Sequence, residues 1–144
     1  IDERKAYDIY EAAEGRMPIL FHTGDFRYDY SSPKRLANAL KDFPRLVAIG
    51  AHFGGWSEWD DGEKYLADNP NVYVDTSSSL YSVSPEKALE YIRAFTPDRV
   101  MFGTDYPMWS VEDELRRMEK INRTDSEREK VMYKTACGLL GISE

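Results

Sequence analysis

Four short apolar runs, separated by polar and amphipathic stretches, organise this chain. Apolar side chains recur at helical spacing through Ala6, Tyr7, Ile9, Tyr10 and Ala13, and Gly15 can end that helix. The run 18-PILFH-22 follows, closed by the turn residues Thr23 and Gly24. Ser32 and Pro33 then offer an N-cap and a proline at the first helical position, leading into 34-KRLANALKDF-43. A second run, 46-LVAIGAH-52, breaks at Gly54 and Gly55, and 57-SEWDDGEKYLAD-68 predicts a helix with Gly62 inside it. The third run, 71-NVYVDTS-77, is rich in β-branched and aromatic residues, and Ser84 with Pro85 opens the helix 86-EKALEYIRAF-95. In 99-RVMFGTDYPMWS-110 an apolar strand runs out into Gly103, Thr104 and Asp105, with Pro107 closing off any continuation. Ser110 with Asp113 starts a helix through Ile121, and Thr124 and Glu127 stand at capping-box spacing before 128-REKVMYKTACGLL-140.

Strand then helix, four times over, is the signature of parallel βα units. The expected strands are Pro18–His22, Leu46–His52, Val72–Thr76 and Val100–Thr104. Each ends in polar residues: His22, His52, Asp75 with Ser77, and Asp105. The two histidines stand about thirty residues apart, one unit of a (β/α)8 barrel in which roughly 250 residues make eight. Barrels build their sites from the loops at the carboxyl ends of the strands, whereas an open Rossmann-type sheet uses one switch point. The expected fold is therefore α/β, the C-terminal half of a (β/α)8 TIM barrel, with residues 1–144 as a single segment. Its inward face, including Leu20, Val47, Ile49, Val72 or Tyr73, and Met101 or Phe102, needs a facing layer, and its outer strands have unpaired edges. The segment is expected to need the missing barrel half or an oligomer partner.

Composition narrows the setting. With 144 residues and 42% hydrophobic content the chain can bury a core, and a net charge of −7 makes nucleic acid a poor partner. Cys137 is the single cysteine, so no internal disulfide forms and a reducing compartment is expected. No basic-then-apolar leader and no apolar run near twenty residues stands in the sequence, which predicts a soluble, cytoplasmic protein with no membrane partner. The opening IDERKAYDIYEAAEGR is expected to lie inside a longer chain.

The strand-end residues set the chemistry. Neutral imidazole and carboxylate hold divalent ions, zinc first among them, and a catalytic site keeps one position open for water. A histidine at a strand end can be a satisfied structural residue, and an Asp before a turn an Asx-type cap. Two histidines and an aspartate on one rim are harder to explain by caps alone. Trp56, Ser77 and Trp109 are candidate substrate contacts, although for the tryptophans, with Trp59, packing is the commoner role. Other chemistries lack their motifs: there is no G-x-S-x-G elbow, P-loop or G-x-G-x-x-G, and Cys137 falls on a helical face. Acid–base work by Asp75 and Asp105 stays open.

The stretches 18-PILFHTG-24, 51-AHFGGW-56, 71-NVYVDTS-77 and 102-FGTDYP-107, in that order, resemble the C-terminal half of the amidohydrolase-2 family. These are TIM-barrel metal-dependent hydrolases, relatives of the aminocarboxymuconate semialdehyde decarboxylases. The closing 131-VMYKTACGLLGI-142 resembles the family's last helix, with Thr135 where Asn is common. The resemblance implies that His22 is the fifth-strand metal ligand. It makes Asp105 the eighth-strand carboxylate that touches the metal and takes a proton from water, and His52 the group that orients that water or polarises the substrate. The family's first-strand His-x-His pair has no counterpart here, nor have strands one to four. About half a metal site is expected, completed by a longer chain, by another chain, or by His22, His52 and Asp105 acting alone as three ligands. The function implied is a metal-dependent hydrolase acting on a small polar substrate. A non-oxidative decarboxylase with the same ligands is the alternative, and a non-catalytic half-barrel assembly module is the alternative outside enzymes.

Overall fold

In the computed structural model, which describes residues 1–143, the chain alternates strand and helix as the pattern predicts. Helix α1 (Arg4–Ala13) precedes β1 (Ile19–Phe21), α2 (Pro33–Asp42), β2 (Ala48–Gly50), α3 (Trp59–Leu66), β3 (Val72–Asp75) and α4 (Pro85–Phe95). A single 3-10 turn, Pro97–Arg99, leads into β4 (Val100–Met101), followed by α5 (Val111–Glu119). The C-terminal helix starts as α6 (Asp125–Glu129), passes through a π-helical turn at Lys130–Lys134 and ends as α7 (Thr135–Leu140). All four strands are parallel and lie in chain order, β1-β2-β3-β4.

Register decides which side chains meet. Leu20, Ile49 and Tyr73 stand in one row, and Asp75 pairs with Met101 in the next. Side chains alternate faces along a strand, so Ala48, Val72, Val74 and Val100 point the other way and are fully buried. They pack with Leu36, Leu66, Ile92 and Phe95, so the core lies between the sheet and the helical layer. Among the described residues no layer covers the opposite face: Leu20 is 63% exposed. Of the alternatives open in the sequence, Tyr73 and Met101 take that open face.

Several helix ends form as the sequence predicts. Ser84 accepts from the Lys87 N–H, Ser110 from the Asp113 N–H, and Thr124 and Glu127 complete a reciprocal capping box. Such a cap contributes about 1 kcal/mol. Ser32 differs: its hydroxyl donates to Asp29 (2.9 Å) and makes no cap bond. Gly62 serves packing, because a Cβ there would lie 2.7 Å from the Phe53 carbonyl oxygen. Only glycine lets α3 approach the turn that follows β2.

The strands are shorter than the apolar runs. Their ladders stop at Phe21, Gly50 and Met101, so His22, His52 and Asp105 stand on the connecting turns just beyond. At the last strand, the Phe102 N–H donates to the carbonyl of Val131 in the π turn (2.7 Å), so a helix satisfies a group beyond the ladder. Among the described residues no helix is long and apolar enough to cross a membrane.

One buried acid gives the fold a pH dependence. Glu114 on α5 is fully buried beside Arg117, and its Oε2 has no hydrogen-bond partner among the described residues. Burial pushes its carboxyl above the usual value, against the pull of Arg117. The folded state therefore holds this proton more tightly than the unfolded chain does. Its contribution is fully present below the ordinary glutamate value of about 4.3 and is lost as pH rises through the raised folded value. Glu114→Gln in the full-length protein is expected to flatten this loss. Denaturant midpoints of both proteins between pH 4 and 8 would test it, and parallel pH profiles would refute it.

Candidate active site

Each of the four βα turns delivers polar groups to the carboxyl rim of the sheet. The histidines form a chain of contacts that fixes their protons. His22 Nδ1 lies 3.1 Å from His52 Nε2, and His52 Nδ1 lies 2.9 Å from both the carbonyl oxygen and the hydroxyl of Ser77. A carbonyl only accepts, so in the neutral ring His52 Nδ1 carries the proton and its Nε2 a lone pair. His22 then donates from Nδ1, which leaves its own Nε2 as an unprotonated nitrogen. That is the form a metal ligand requires. Ser77, expected as a substrate contact, is buried with its hydroxyl committed to Asp75 (2.5 Å) and His52.

Asp105 is anchored from the third unit. Ser78 donates to Asp105 Oδ2 (2.6 Å), and the Trp109 indole N–H donates to Ser78 (2.9 Å). His52, Ser78 and Asp105 all hold left-handed backbone conformations, with φ of 64°, 44° and 61°. Non-glycine residues seldom adopt these, and they persist where surrounding structure over-determines them. Three such residues on three successive turns concentrate left-handed backbone at this rim, although Thr96 after α4 also has a positive φ (66°).

His22, His52 and Asp105 line a cavity of about 300 Å³ together with Asp25, Arg27, Trp56, Ser78, Tyr81, Met108 and Trp109. The same three also line a second hollow of about 390 Å³ on the open face, with Asp75, Ser77 and Gly103 among its walls. They thus stand on the wall between the cavity and the open face of the sheet. Trp56 and Trp109, the other expected substrate contacts, both face the first cavity; Trp109 stacks on Tyr81 at 4.6 Å between ring centroids. Arg27 donates twice to Asp25 (2.8 Å each) and lies 5.4 Å from the Trp56 ring centroid. Those bonds hold the Asp25 carboxyl down at about 2. The first two turns are fastened together: the Trp56 N–H donates to the Thr23 carbonyl (2.7 Å), and a Cβ on Gly24 (φ 80°) would fall 2.5 Å from the Gly55 backbone.

Among the described residues no three His, Cys, Asp or Glu side chains come together as a metal cluster. Of the three completions open in the sequence, His22, His52 and Asp105 acting alone as three ligands has no such cluster behind it. The physical reason is the ring contact: the facing nitrogens of the two histidines are used on each other. The donor set still fits part of a divalent site, since an imidazole lone pair on His22 and the Asp105 carboxylate border one cavity. Ser78, Asp25 and Arg27 line the cavity without having been singled out by the motif reading, and Asp75, left there as an acid–base candidate, borders the second hollow. The hydroxyl run 76-TSSS-79 directly after β3 was the one available signal.

The Amidohydro_2 family model, described as Amidohydrolase, matches residues 2–142. An uncharacterized TIM-barrel protein from Bordetella bronchiseptica is 26% identical, with a TM-score of 0.83 over 97% of this chain and 51% of its own. A dihydroxybenzoic acid decarboxylase from Polaromonas sp. JS666, with bound manganese and the inhibitor 2-nitroresorcinol, is 18% identical, with a TM-score of 0.59 over 76% of this chain and 38% of its own. An amidohydrolase from Burkholderia multivorans with bound zinc is 21% identical, with a TM-score of 0.61 over 81% of this chain and 52% of its own. No protein of curated function matches the chain. The chain spans about half the length of these barrels or less, which makes its four strands a half barrel.

Proposed function

We propose, because this chain belongs to the amidohydrolase family, that the protein it comes from is a metal-dependent hydrolase acting on a small polar substrate. The observation that carries the reading is the convergence of His22, His52 and Asp105 on one cavity at the carboxyl rim of parallel strands. His22 Nε2 and the Asp105 carboxylate would hold the ion, with further ligands from the other half of the barrel. When bound, a divalent ion supplies the positive charge that makes water a competent nucleophile near neutral pH. Zinc and manganese both suit an imidazole–carboxylate donor set, and zinc is the ion we favour.

The chain's own residues then have separate tasks. Asp105, held by Ser78, takes the proton from the attacking water. His52 was expected to orient that water or polarise the substrate, but both its ring nitrogens are engaged here, so its first task is to hold the His22 ring. Trp56 and Trp109 are flat apolar walls for the substrate. A cytoplasmic setting fits the single cysteine, Cys137.

Arg27 favours a second reading. It lines the same cavity, and among the described residues its Nη1 makes no side-chain hydrogen bond, so it can meet a substrate carboxylate. A non-oxidative decarboxylase would use it so, and carbon dioxide release, measured beside ester, lactone and amide hydrolysis, separates the two chemistries. Metal analysis tests what they share. The full-length protein is expected to hold about one divalent ion per chain, and His22→Ala to lose most of it on dialysis. A metal-free native protein, or His22→Ala retaining its metal fully, would sink the reading and favour the non-catalytic assembly module.

A further inference from the structure

Asp75 ends β3 against the turn that carries His52, and one of its oxygens, Oδ1, gathers three donors. These are the backbone N–H of His52 (3.0 Å), the backbone N–H of Ser77 (2.9 Å) and the Ser77 hydroxyl (2.5 Å). We infer that Asp75 is a positioning residue which, by collecting those three donors, sets the ring tautomer of His52 and through it that of His22. The inference rests on the reading of His22 as a metal ligand.

The protons can be followed one by one. The single Ser77 hydroxyl proton is spent on Asp75, so towards the imidazole that hydroxyl can only accept. The two backbone bonds hold His52 in its left-handed conformation and the Ser77 turn under its ring, which brings the Ser77 carbonyl to His52 Nδ1. Both acceptors demand a proton on Nδ1 of His52. Its Nε2 is then a lone pair facing His22, and His22 must answer with an Nδ1 proton. The nitrogen left bare is His22 Nε2. Without Asp75 the Ser77 hydroxyl is free to turn and donate to His52, and the turn that presents its carbonyl loses two bonds. Only the Ser77 carbonyl, on a turn no longer held by Asp75, then opposes the reversed relay, in which His22 Nε2 carries a hydrogen where a metal ligand needs a lone pair. Groups that orient a ligating histidine in this way are worth about ten- to a hundredfold in metal affinity.

The test uses the full-length protein labelled with ¹⁵N-histidine, stripped of metal at a pH where the rings are neutral, and titrated with Zn²⁺. Long-range proton–nitrogen spectra of the native protein should place the proton on Nδ1 in both rings, His22 being identified by His22→Gln. Asp75→Ala should lose the Nδ1–H signature of His52 and bind Zn²⁺ about ten- to a hundredfold more weakly. Asp75→Asn keeps an acceptor oxygen and should restore both to near the native values. A proton on Nε2 of either ring in the native protein would overturn the inference. So would an Asp75→Ala protein with native tautomers, or an Asp75→Asn protein as impaired as Asp75→Ala. Should Asp75→Ala not fold, the native and Asp75→Asn spectra decide. Native protein with both rings Nδ1–H but no affinity for Zn²⁺ would remove the metal reading, and the spectra of the variants would still judge the role of Asp75.

Discussion

Asp105→Asn in the full-length protein is expected to lower turnover by a factor of roughly 10² or more while leaving the fold intact. The substitution is chosen to separate chemistry from shape. Asparagine has nearly the same volume, and its side-chain oxygen can accept the Ser78 hydroxyl in place of Oδ2. It also tolerates the left-handed conformation of position 105 better than most residues. What it lacks is a basic oxygen to take up a proton. Turnover measured with metal present, beside the far-ultraviolet circular dichroism of both proteins, makes the comparison. Unchanged turnover would reject the base role outright.

The second large effect concerns the 144-residue segment by itself. It is expected to be inactive and either associated or loosely folded. Leu20 is exposed, Ile49 and Tyr73 are only half-buried, and they share one row of the sheet with no layer in front of them. Apolar surface of that kind, beside unpaired strand edges, drives association. If the metal reading proposed above holds, this segment supplies only part of the ligand set, a chemical reason for inactivity. Sedimentation of the isolated segment, followed by denaturant unfolding, gives the answer. A compact, cooperative and fully active monomer would show that this half needs no other.

Much of the fold was legible because its signals are periodic or local. Alternation of apolar runs with amphipathic stretches located all four strands, and Ser84, Ser110 and the Thr124–Glu127 pair marked helix starts that the structure reproduces. The lengths of the strands were not legible. The run 46-LVAIGAH-52 stays apolar almost to its end, but the ladder ends at Gly50, where the backbone turns to pair with itself and with Asp75. That His22, His52 and Asp105 gather at the carboxyl ends of strands could be read from the residues alone, although His22 and His52 stand just beyond the ladders and not on the strands expected to hold them. The hydrogen bonds around them could not. That Ser77 faces an imidazole and not a substrate depends on where a turn aims one hydroxyl, and Ser78 reaches Asp105 only through a left-handed residue. No spacing rule encodes either.

Gly24 and Gly62 have a consequence for how this protein can vary. Neither presents a group to the cavity, yet a single methyl at either would collide with backbone, of Gly55 and Trp56 in one case and of Phe53 in the other. Backbone cannot swing aside as a side chain can. In a complete map of single substitutions both positions should therefore read as blank columns, as intolerant as the histidines beside them. Ranked by intolerance alone, they would pass for catalytic residues. A survey that scored metal retention separately from folded yield would tell them apart, because these two glycines fail at the stage of packing, before any chemistry is asked of the site.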